Sequence, residues 1–171
     1  MVVVDANLLV ALVSGELNLR RVRRRLTLSR LYRMTSDFTK TERGRASDIP
    51  SLVERVMLSP AEDAYLIINI HQDSAFMQMT GDENGVQLDF PLITPRQRSL
   101  EGRIREAATR LGLEAFDVDG SDDARFLDVE VNGEPRVVGA ACAEVFREVF
   151  GEAADAELIF EHYGLAPGGD A

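Results

Sequence analysis

The sequence predicts an α+β domain: an antiparallel sheet of about five strands backed by helices, in the order α-β-β-β-α-β-β-α, with an N-terminal extension. Three observations carry this expectation. Short alternating or β-branched runs recur between turn residues, one long segment has helical period with a cap at each end, and the charge changes sign near residue 33. A chain of 171 residues suffices for one domain of ordinary size with an appendage. The expected division is an extension over residues 1–33 and a domain over residues 34–168.

In the extension, Met1–Val13 reads as a short strand ending on Asp5 and running into an apolar helix. An arginine block follows, Arg20 to Arg25, in a segment of mostly one sign of charge. Met34 to Arg45 is polar and unpatterned, as a natural amino terminus would be. Ser47 or Asp48 then caps a short helix to Leu58, with Leu52, Val53 and Val56 on its buried side and Ser59-Pro60 as its stop.

Ala64–Ile70 and Phe76–Thr80 are strands, and Gly81–Gly85 supplies a hairpin turn. Val86–Phe90 alternates, with Val86, Leu88 and Phe90 inward and Gln87 and Asp89 outward. Thr94, Pro95 and Gln97 make a capping box for a helix whose Leu100, Ile104, Ala107, Ala108 and Leu111 share a face, ended by Gly112. Strands are expected near Leu113–Val118 and Phe126–Val131, joined by the turn Asp119–Asp123. The last long helix follows Pro135, with Val138, Cys142, Val145 and Val149 as its apolar stripe and Gly151 as its end. Leu158–Tyr163 is expected as a further short helix.

Residues 1–33 hold seven arginines against Asp5 and Glu16, a balance of +5, whereas residues 34–171 hold twelve basic against twenty-seven acidic residues, a balance of −15. An acidic body repels phosphates, which disfavours nucleic acid and suits a basic partner. The arginine block is a candidate RNA contact, or an arm that folds back onto the acidic body. Cys142 is the single cysteine, so no intrachain disulfide forms. The opening apolar run is too short to span a bilayer and is interrupted by Asp5 and Asn7. A cytoplasmic protein without membrane association is the expectation.

Asp117, Asp119, Gly120, Asp122, Asp123 and Asp128 invite a calcium reading. An EF-hand loop, however, needs glycine at its sixth position and glutamate at its twelfth, where this segment has glycine fourth and Asp128 twelfth. A solvated acidic turn accounts for the segment better. His71 and His162 lack ligands at zinc spacing. Cys142 sits on an apolar stripe, where thiols act as small buried hydrophobes. No cofactor is expected.

The outward rows of the strands are the candidate binding residues. Leu66, Ile68, Ile70, Phe76 and Gln78 are placed on the helix side, which leaves Tyr65, Ile67, Met77 and Met79 on the other face, together with Phe126, Asp128 and Glu130. A face mixing apolar and acidic side chains suits an extended, basic or amphipathic client, with methionines to adapt to it. Coverage by the chain's own termini or by a second subunit is the plainer alternative.

The stretch Asp48–Gly151 resembles, in its element order, the type III secretion chaperones and the related YbjN-like domains. Its closing Val145-Phe146-Arg147-Glu148-Val149-Phe150-Gly151 is similar to the run that ends the last helix of YbjN-like proteins. The resemblance implies a peptide-binding, chaperone-like role, commonly as a homodimer, without chemistry. Separately, Val2-Val3-Val4-Asp5-Ala6-Asn7-Leu8-Leu9 resembles the start of PIN-domain (VapC-like) ribonucleases, the toxins of toxin-antitoxin pairs. That resemblance implies Asp5 as one ligand of Mg²⁺ or Mn²⁺, and it needs further acids converging on the metal. A third reading, an acidic immunity or antitoxin-like protein, shares the charge of the chaperone reading.

Overall fold

The chain divides into two units, residues 1–38 and residues 39–171. A computed structural model describes residues 39–61, 63–70, 75–119 and 125–168, all of them in the second unit. The expectations for Asp5, Asn7, the arginine block, His71 and the turn from Gly120 to Asp123 lie outside the described residues.

The elements run β1 (Lys40–Arg45), a 3-10 turn (Ala46–Asp48), α1 (Ile49–Met57), β2 (Tyr65–Ile70), β3 (Phe76–Asp82) and β4 (Gly85–Pro91). They continue as α2 (Pro95–Arg98), α3 (Glu101–Arg110), β5 (Ala115–Asp119), β6 (Arg125–Asn132), α4 (Pro135–Phe150) and β7 (Glu157–Tyr163). The fold is α+β. The strands form one seven-stranded sheet in the order β1-β7-β2-β3-β4-β6-β5, and every pairing is antiparallel.

The two strands beyond the expected five come from segments with weak patterns. Lys40–Arg45 is almost wholly exposed. An edge strand facing water needs no apolar alternation, and charged side chains protect such an edge from pairing with other chains. Leu158–Tyr163, expected as a short helix, is strand β7. Leu158, Phe160 and His162 are buried at every second position, a period of two that a helix cannot use. β7 enters between β1 and β2, so the last strand in sequence closes one side of the sheet beside the first.

The segment after Thr94 also departs from a single helix. Its capping box forms as expected: Gln97 N donates to Thr94 Oγ1 at 3.2 Å, and Thr94 N donates to Gln97 Oε1 at 2.9 Å. The ladder then tightens, with Leu100 N reaching Gln97 O at 3.0 Å. That three-residue step, with Ser99 Oγ bonded back to Arg96 O, separates α2 from α3.

One apolar core joins the sheet to α1, α3 and α4. Leu52, Val53 and Val56 of α1 and Val138, Cys142, Val145 and Val149 of α4 are buried, as their helical spacing predicts. Burial without a charged neighbour pushes the Cys142 thiol up to about 12, so it stays protonated and acts as packing. Gly151 ends α4 in the left-handed conformation, at φ 75°. Among the described residues no helix is long and apolar enough to cross a membrane.

Gly139 sets how closely α4 approaches α1. A Cβ built there would lie 2.7 Å from the Pro50 carbonyl oxygen. Gly139→Ala is therefore expected to cost about 1–3 kcal/mol through helix displacement. Gly102, in α3, has open space around it, and Gly102→Ala should add about 0.5 kcal/mol through helix propensity and a less flexible unfolded chain. Urea midpoints of the two variants check both signs.

Candidate functional site

Because α1, α3 and α4 share one core, strand alternation sends every second side chain to a face that carries none of them. Cross-strand register defines its rows. The central row runs Thr41, Glu161, Ile67, Gln78, Asp89, Asp128 and Phe116 from β1 to β5. One row away lie Ile159, Asn69, Phe76, Pro91, Phe126 and Val118. On the other side are Tyr163, Tyr65, Thr80, Gln87 and Glu130.

Of the residues placed on this face from sequence, Tyr65, Ile67, Phe126, Asp128 and Glu130 are there. Met77 and Met79 are not. Both are fully buried in the core under the helices, and Phe76 and Gln78 take the outer positions assigned to them. The hairpin decides this. Asp82 pairs with Gly85, which sets Met79 opposite Leu88 and Gln78 opposite Asp89. Since Leu88 is core, Met79 is core too, and Gln78 follows Asp89 outward. The Gly81–Gly85 turn carried that signal in the sequence: once Gln87 and Asp89 are outward, the register places Gln78 and Thr80 with them.

The middle of the face is polar and buried. Asp89 and Asp128, opposite one another on β4 and β6, are only 3% and 2% exposed. Gln78 Nε2 donates to Asp89 Oδ2 at 2.5 Å, and Gln87 Nε2 donates to Asp128 Oδ2 at 2.5 Å. Burial pushes the Asp89 carboxyl above its ordinary value of 3.8, against the opposing pull of its hydrogen bonds to Asp128 and Gln78. The Thr80 hydroxyl, beside Gln87 on the same face, is buried and has no hydrogen-bond partner.

Around this floor stand half-buried Ile67, Phe76, Phe116, Phe126 and Glu130. Towards β7, Tyr65 stacks on Tyr163 with ring centroids 6.1 Å apart, and its hydroxyl meets Thr39 Oγ1 at 2.5 Å. Asn69 Nδ2 donates to Glu161 Oε1 at 2.9 Å.

Asp117 and Asp128 do not share a site. Asp117 lies opposite Leu127, on the helix-bearing face, whereas Asp128 lies opposite Phe116 on the other. The Asp117 carboxylate accepts from Arg125 at 2.7 Å and from Arg105 at 2.8 Å. These hydrogen bonds hold its pKa below the usual carboxylate range. With Glu101, these solvent-facing groups lace β5 and β6 to α3.

His162 is on the core side of β7, 3.4 Å from Glu42. Burial holds its pKa below the ordinary range, against the pull of Glu42. Among the described residues no group of three or more His, Cys, Asp or Glu is arranged to hold a metal ion.

The chain matches no family model, and no curated protein or solved structure is significantly similar to it. The arrangement of its own residues is therefore the ground for a functional reading.

A carboxyl whose pKa is raised on folding binds its proton more tightly in the folded state than in the unfolded chain. Its contribution to stability is present below 3.8 and is lost as the pH rises through the raised value. Asp89→Asn keeps the acceptor for Gln78 and removes the titration. The variant is expected to melt at a higher temperature than the wild type at pH 7, with the gap closing as the pH falls towards 4. Thermal melts of both proteins across that range check the sign.

Proposed function

We propose that the domain binds an extended, basic, amphipathic segment of a partner protein on the face of its sheet opposite α1, α3 and α4, a chaperone-like role that needs no reaction of its own. The carrying observation is the pairing of Asp89 with Asp128 on the floor of that face, within a rim of half-buried phenylalanines. A buried acidic floor within an apolar rim has the anatomy of a binding hot spot, where surrounding contacts exclude water from a few strong ones.

The rows suit a strand-like ligand. Phe76, Pro91, Phe126 and Val118 form an apolar row beside the acidic one, so a segment alternating apolar and basic residues meets both. The charge of residues 34–171, twelve basic against twenty-seven acidic, draws such a segment in and repels acidic ones. The resemblance to secretion chaperones implies a peptide-binding role.

A fluorescent peptide alternating arginine and valine, titrated with the full chain, tests this reading. Saturable binding that weakens as salt rises from low to physiological strength is expected, with no binding of the glutamate–valine counterpart. Ile67→Glu, on the rim, should weaken binding of the arginine peptide about tenfold by breaking the apolar contact. Equal affinity for the acidic and basic peptides, or none for either, would overturn the reading.

A further inference from the structure

We propose that His162 is a proton-operated latch for one edge of the sheet: neutral, it lets the Lys40–Glu42 end of β1 rest on β7, and protonated, it loosens that end while the rest of the domain stays folded. The latch is independent of what the opposite face binds.

His162 stands where β1, β2, β7 and α1 meet. It lies on the covered side of β7, 5% exposed, with Leu66 opposite it on β2 and Lys40 opposite it on β1. Glu42, two residues along the same face of β1, brings Oε1 to 3.4 Å from His162 Nε2. Just beyond His162 the chain is fastened to α1 and the residues that follow it. Ser59 Oγ donates to Gly164 O, Arg55 Nε donates to Ala166 O at 2.8 Å, and Ala166 N donates to Arg55 O at 3.1 Å. Among the described residues, the charged groups that act on the imidazole are Glu42 and Lys40 of β1 and Arg55 of α1. Leu66, Gly164, Leu165 and Ala166 bring no charge, and Glu161 and Tyr163 of β7 alternate to the other face.

A proton on His162 adds a third positive charge to a cluster with one carboxylate. Like charges directly opposite each other on paired strands are destabilising, and Lys40 holds that position. The Glu42 side chain is 48% exposed, so water screens its attraction, whereas the imidazole is almost out of water and bears the cost of charging there. Burial, helped by Arg55 and Lys40, holds the His162 pKa below its ordinary 6.5 against the pull of Glu42. The stability that neutral His162 contributes is therefore present above 6.5 and is lost as the pH falls through the lowered folded value.

β1 is the element that yields. Among the described residues it is an edge strand paired with β7 alone, and its side chains are almost all exposed, so little apolar burial holds it. Its Arg45 end runs into Ala46 and Ser47, whose N–H groups donate to Ala156 O at 3.0 Å and Ala154 O at 2.8 Å. The Lys40–Glu42 end has, besides the strand pairing, the contact of Thr39 Oγ1 with the Tyr65 hydroxyl and the Glu42 contact with His162 itself. Opening starts at the His162 end and stops at the anchored one.

Amide hydrogen exchange of the full chain at about pH 7.5 and about pH 5 tests the latch. After correction for the intrinsic effect of pH, the amides of residues 40–43 that bond to β7 should exchange several-fold faster at the lower pH, while those of β3 and β4 stay protected. His162→Gln keeps a polar side chain that takes up no proton in this range, so the acid-dependent rise should vanish. Glu42→Gln removes the one favourable charge and should enlarge the rise, whereas Lys40→Gln should shrink it. A rise that persists in His162→Gln, or one that shrinks in Glu42→Gln, would overturn the proposal. The wild-type imidazole signals, assigned by correlation with the labelled backbone of His162, should titrate with a midpoint below 6.5. A midpoint at or above that value overturns the latch without recourse to any variant.

Discussion

The packing of α1, α3 and α4 on one face of the sheet is the constraint on which the rest depends. α1, α3 and α4 contribute to a single core with one face of seven antiparallel strands. In a strand, successive side chains point to opposite faces, so this coverage sorts each strand residue into core or rim without intermediate choices. Leu66, Ile68, Met77, Met79, Val86, Leu88, Leu127, Val129, Leu158 and Phe160 fill the covered side. Their alternates have to find another use. Those near the sheet edges meet water or pair locally, as Asn69 does with Glu161, while those at the centre include two acids that end up buried.

That central burial is the least expected feature of the fold. An exposed aspartate on an antiparallel strand needs no explanation, but Asp89 and Asp128 are among the most buried polar residues described. For Asp89 the Gln78 amide offsets part of that cost, and burial still pushes its pKa up. A purely structural role would be met as well by threonine or valine, which pack on a sheet face without needing a proton.

Much of this architecture was legible in the sequence. The capping box at Thr94 and Gln97, the stripe from Val138 to Val149 and the alternation of Val86, Leu88 and Phe90 each declared an element, because several local preferences agreed at those sites. Lys40–Arg45 and Glu157–Tyr163 were missed for opposite reasons. The first has almost nothing to bury. The second is so short that its four apolar and aromatic residues fit a turn and a half of helix as readily as a strand, and only pairing with β1 and β2 settles it. The acidic and aromatic residues of β6 were legible as outward-facing. Met77 and Met79 were not core on sight, since Phe76-Met77-Gln78-Met79 is apolar at three of its four positions, and the hairpin register alone separates the two faces.

The account stands or falls on which side of the sheet meets a partner. Backbone amide shifts of the isotope-labelled full chain, recorded as the arginine–valine peptide is added, report that directly. The account predicts that the largest changes fall on Gln78, Thr80, Asp89, Phe126 and Asp128, and that the outer surfaces of α1 and α4 stay unchanged. Changes concentrated on those helices, with the central strands silent, would contradict it.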